Sequence, residues 1–162
     1  GLPASGAAAQ ELQAELNQHL ARQPDVPRAL VLKARLDARA ERFGDAAAAY
    51  ARALQGRSKA ANDAGIWAEY AEAKALAQGG QLAGEPVQLL QKALSIDARH
   101  PLALDLAGSA AWEVRDFAKA AMYWKRLLEL IPASEPRHAE LRTAIQRAEQ
   151  KARFALPSES AP

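Results

Sequence analysis

The chain has no cysteine among its 162 residues, so it forms no disulfide, offers no thiolate to a metal and cannot itself exchange thiols. β-Branched and aromatic residues are also scarce. Val, Ile and Thr number nine together, and Phe, Trp and Tyr make up 6%. Strands favour those residue types, so a β-sandwich, a barrel or a dinucleotide-binding sheet is not expected. No apolar run approaches the roughly 20 residues of a membrane span, and this stretch is expected to be soluble. Neither sign of charge dominates. Lys and Arg number 21 against 19 Asp and Glu, a weak excess for a nucleic-acid binder. Four arginines, Arg28, Arg35, Arg39 and Arg42, share one helical face, but Asp37 and Glu41 lie among them. Gly1-Leu2-Pro3 has neither the basic nor the apolar region of a signal peptide, and the absence of an initial Met suggests a processed or excised chain.

What the chain has is alanine, 41 residues of it, with 21 leucines. These are strong helix formers, and they recur in register. With Pro101 as position 1, Leu104 falls at 4, Ala107 and Gly108 at 7 and 8, Ala111 at 11, Ala120 at 20, Trp124 at 24, Leu127 at 27 and Pro132 at 32. This is the tetratricopeptide pattern. Small residues at 8 and 20 let two antiparallel helices approach, bulky ones at 4 and 24 fill the space beside them, and the proline ends the unit. Arg115-Asp116-Phe117 makes the turn between the helices.

An earlier unit counts from Pro27 and puts Phe43, Ala46, Tyr50 and Ala53 at 17, 20, 24 and 27. Its first helix carries Lys33 and Asp37 where apolar residues are expected, four apart and able to pair on a helix surface. Between these two units lies a stretched one. Counts forward from Ala61 and backward from Asp97 disagree by six residues, and the excess falls in the glycine-rich run Gln78–Gly84. That run has no Lys-Ser/Thr after it and no strand before it, so it is not a phosphate loop.

Leu12, Leu16 and Leu20 mark an N-terminal cap helix, and Leu141, Ala144, Ile145, Ala148 and Ala152 a C-terminal one. The expectation is an all-α tetratricopeptide superhelix over residues 8–154, with about three helix pairs between two capping helices. Its helices are expected at 8–22, 27–41, 43–56, 60–78, 85–97, 101–114, 116–131 and 136–154. Residues 1–7 and 155–162 are expected to be disordered.

No catalytic constellation stands out. His19, His100 and His138 form no metal-binding pair and read as surface or capping residues, no serine sits in a nucleophile elbow, and pairs such as Glu69 and Glu72 read as a solvated face. The chain is not expected to be an enzyme or to need a cofactor or metal. What remains is a surface. Positions 2, 5, 9, 12 and 13 of each first helix point into the trough of a tetratricopeptide array. They are Arg28, Val31, Arg35, Ala38 and Arg39, then Asn62, Gly65, Glu69, Glu72 and Ala73, then Leu102, Asp105, Ser109, Trp112 and Glu113. The trough is expected to run from basic to acidic and to grip an amphipathic helix or an extended tail. Trp112 either faces it or tucks beneath the C-terminal cap.

The run from Trp67 to Pro86, with its Ala-Gln-Gly-Gly-Gln-Leu-Ala-Gly-Glu-Pro insertion, precedes Ala93-Leu94-Ser95-Ile96-Asp97. Then come Leu104 to Trp112, Asp116-Phe117 and Tyr123-Trp124. Together these resemble the periplasmic repeat domain of the CcmI (CycH) family of cytochrome c biogenesis factors, over roughly residues 8–154. The nitrite-reductase assembly factor NrfG is similar in architecture. The resemblance implies a periplasmic domain of a bacterial inner-membrane protein, touching the membrane only through a segment outside this chain. It implies capture of apocytochrome c, largely by its C-terminal helix, and presentation to the haem-ligation (Ccm) complex, with no nucleic acid involved. The alternative is a scaffold for another cell-envelope complex. The acidic residues Glu69, Glu72, Asp105 and Glu113 beside Trp112 are the expected seat of a Lys-bearing helix.

Overall fold

A computed structural model describes residues 6–155. They form eight α-helices, one 3₁₀ turn and no strand: α1 (Ala7–Arg22), α2 (Pro27–Arg39), α3 (Phe43–Ala53), the 3₁₀ turn (Lys59–Asn62), α4 (Ala64–Ala77), α5 (Glu85–Ile96), α6 (Pro101–Glu113), α7 (Phe117–Leu128) and α8 (Pro136–Ala155). Most of the two segments expected to be disordered lies outside the described residues. Ala7 and Ala155 are the end residues of α1 and α8.

The array is tetratricopeptide-like. Helices α2 and α3, α4 and α5, and α6 and α7 pair extensively, α1 packs on α2, and α8 packs on α7. Small side chains make the pairing close. Ala34, Ala46, Ala68, Ala93 and Ala120 are fully buried. Gly108 is the tightest point, because a Cβ there would lie 2.2 Å from Trp124 Nε1. Leu30, Leu90, Leu104 and Leu127 fill the space beside these contacts. The first turns of α2, α5 and α6 carry Pro27, Pro86 and Pro101, where the missing N–H costs nothing.

The turns repeat too. Glu41 (φ 59°) and Arg115 (φ 65°) hold the same position in the first and third units, each a left-handed residue between paired helices. The second unit uses glycine there, with Gly79 and Gly80 at φ 77° and 89°. The stretched run is thereby an ordered loop. Gln78 Nε2 donates to the carbonyls of Gln81 and Ala83, and Leu82 is buried in the core.

Two local expectations are corrected. The helix expected from residue 60 starts at Ala64, because Asp63 Oδ1 accepts the Gly65 N–H at 2.8 Å and caps a new helix. Asn62 therefore lies in the preceding 3₁₀ turn rather than on α4. The Lys33–Asp37 pair forms at 2.5 Å, but not on a helix surface. Asp37 is 1% exposed, and Arg42 also binds its Oδ1 through Nε (3.1 Å) and a terminal nitrogen (2.8 Å). Its register position faces the interior, so the carboxylate is buried and held by two cations.

Candidate functional site

The candidate site is one continuous face built by α2, α4, α6 and α8, tied together by charge. Arg35 of α2 grips Glu69 of α4 through two hydrogen bonds, Nε to Oε2 at 3.1 Å and a terminal nitrogen to Oε1 at 3.2 Å. The Tyr50 hydroxyl donates to the same Oε2 at 3.1 Å. Burial and the adjoining Glu69 charge push the Tyr50 phenol well above its ordinary pKa, so it stays a donor at neutral pH. Across the face, Arg137 in the first turn of α8 pairs with Asp105 of α6 at 2.8 Å.

Between these pairs sits Glu72. It is half-buried, and no hydrogen bond or ion pair with the described residues holds its carboxylate. Its pKa is raised, first by burial and then by the charges of Glu69 and Asp105. A raised folded-state pKa favours folding below the unfolded value, and that contribution is lost as pH rises through the folded one. Ionised Glu72 thus opposes folding at neutral pH. Glu72→Gln is expected to raise the melting temperature at pH 7. The gain should vanish below the ordinary glutamate pKa of about 4.3, where the native side chain is also neutral. Thermal scans across that range check both halves.

The other expected trough residues are dispersed. Arg28 is exposed, and Val31 is buried in the core while lining a cleft described below. Leu102 and Ser109 are half-buried on α6. Arg39 is exposed at the end of α2 and lines a hollow with Gln13 and Arg42. Glu113 is engaged elsewhere. Its two oxygens accept the Leu82 and Ala83 N–H groups at 2.8 and 3.1 Å, which pins the inserted loop to α6. Trp112 packs edge-on against Phe117 (centroids 4.9 Å apart) and beside Trp124 (5.9 Å). Lys151 of α8 lies 5.7 Å above its ring, and the indole also lines a cleft of about 270 Å³ with Ser109, Ala144 and Arg147. His100 caps α6 through Nδ1, which accepts the Ala103 N–H.

Sequence reasoning treated α8 as a cover and missed its charge. Arg137, Arg147 and Lys151 bring three cations beside the third helix pair, so the face is basic, then acidic, then basic again. The four-residue spacing of Arg147 and Lys151, close to one turn of a helix, was the available signal.

No family model matches the chain. It is 29% identical over 142 residues to the cytochrome c-type biogenesis protein CycH of Pseudomonas aeruginosa. The match takes in 88% of this chain and 34% of that protein, so the chain spans about a third of its relative's length.

Proposed function

We propose that this domain is a non-catalytic polypeptide-binding module of cytochrome c maturation. It captures apocytochrome c through the C-terminal helix and presents it to the haem-ligation complex from the periplasmic side of the inner membrane. The similarity to a protein named for cytochrome c-type biogenesis supports the pathway. The observation that carries the binding reading is Glu72, a half-buried carboxylate with no partner among the described residues, set between two carboxylates that are already paired. A cationic side chain entering there relieves a repulsion the free domain tolerates, so part of the electrostatic cost of the unbound face is recovered on binding. A domain without cysteine holds its substrate while other proteins handle the thiols.

The test is calorimetry with apocytochrome c and with haem-loaded cytochrome c. The apo form should bind, and the holo form should bind at least tenfold more weakly, because its terminal helix is packed against the folded protein. Glu72→Lys should weaken apo binding by tenfold or more and flatten its salt dependence. Equal affinity for the two forms, or an unchanged affinity in Glu72→Lys, would sink the reading.

A further inference from the structure

At the N-terminal end of the same face lies a cleft of about 950 Å³, larger than the one beside Trp112. Leu16, Val26, Val31, Leu32 and Ile66 form an apolar lining contributed by α1, the residue that caps α2, α2 itself and α4. The charged groups around it are unequal. Arg35 is committed to Glu69, and Asp63 caps the Gly65 N–H. Arg28 and Lys59, both exposed, make no side-chain hydrogen bond or ion pair with the described residues. His19 completes the rim. The cleft therefore combines a greasy floor with two cations that have no partner among the described residues, and it shares Arg35, which binds Glu69, with the face that holds Glu72. Ile66 in the cleft and Glu72 lie six residues apart on α4, an axial rise of about 9 Å with roughly 120° between them around the helix.

We infer that this cleft is a second recognition site for the same bound polypeptide, taking a large apolar side chain flanked by carboxylates. The inference rests on the reading that the face binds polypeptide at all. A cleft of this size seats one or two large side chains, and the exposed cations Arg28 and Lys59 beside it favour an acidic flank over a basic one. The bound segment is thus polar along its length. Its apolar anchor travels with acidic residues against Arg28 and Lys59, and a cation displaced by about 9 Å along the axis of α4 meets Glu72.

Two synthetic helical peptides of identical composition test this. In one, a leucine sits in a turn with two glutamates, and two lysines are centred six residues further on. In the other, the glutamates and lysines exchange places. Reversing chain direction cannot rescue the second peptide, because its leucine stays with the lysines. Calorimetry should show the first binding at least tenfold more tightly. Arg28→Glu/Lys59→Glu should abolish that preference without moving the melting temperature, since both side chains are exposed and have no partner among the described residues. If the two peptides bind alike while Glu72→Lys still weakens both, or if the double variant keeps the preference, the second site is wrong and the polypeptide-binding reading survives. If neither peptide binds, both are wrong.

Discussion

Lys33→Met/Arg42→Leu is expected to destabilise the domain by about 3–5 kcal/mol, the range for stripping the partners from a buried charge. The loss should appear as a drop of roughly 10–15 °C in melting temperature for a chain of this size. The reason lies in how unequally the three groups are exposed. Asp37 is 1% exposed, so its carboxylate has nowhere to go when its cations are removed. The cations differ: the Lys33 side chain is 25% exposed and that of Arg42 46%, so either can turn to water when the carboxylate is lost. Asp37→Leu is therefore expected to cost much less than the double variant, although it deletes the same ion pairs. Adding Asp37→Leu to the double variant should restore most of the lost stability. Urea denaturation of the three variants orders them. A double variant no less stable than Asp37→Leu would show that the carboxylate reaches water in the folded state.

That asymmetry also marks how far the sequence could be read. The register puts Asp37 where an apolar residue is expected, yet its spacing from Lys33 points to a pair on a helix surface rather than to a buried carboxylate. Lys33 was visible as a partner because it is one helical turn away. Arg42 was not, because the four residues between it and Asp37 cross the turn into the next helix, where helical spacing no longer applies. The same division runs through the molecule. The α6/α7 pair was legible in detail, since Gly108 and Trp124 obey a size rule written into every unit of the repeat. The start of α4 was misplaced, because a single Asp63 hydrogen bond outweighs helix propensity over four residues. Glu113 held its predicted register position, yet its carboxylate is drawn to two N–H groups of a loop 30 residues earlier. Arg137 likewise reaches Asp105 from 32 residues away. Periodicity says which way a side chain points from its own helix. It does not say which charge from another unit arrives there, and the polarity of the binding face is set by those arrivals.

The contact that the repeat pattern does specify makes the second large prediction. Gly108→Ala is expected to destabilise the domain by about 1–3 kcal/mol, even though alanine gains up to about 1 kcal/mol of helix propensity over glycine in a helix interior. Geometry decides the sign. The added Cβ would lie 2.2 Å from Trp124 Nε1, 2.4 Å from Cδ1 and 2.7 Å from Cε2, all inside contact distance. The indole cannot easily step aside. Its Nε1 donates to the Asp105 carbonyl at 3.4 Å, and Trp112 stacks beside it. Gly44→Ala serves as the control, since a Cβ there meets nothing within 4 Å and propensity alone should act, leaving that variant equal to or more stable than the parent. The three clashing atoms all belong to the five-membered ring that phenylalanine lacks. Trp124→Phe alone should be destabilising through the cavity it leaves, but Gly108→Ala should cost less in its background than in the native one. A double-mutant cycle by thermal denaturation measures that coupling, expected at 0.5–3 kcal/mol for residues in direct contact. Additive losses would mean that the two helices part to admit the methyl group, and that close approach at this position is not what holds α6 to α7.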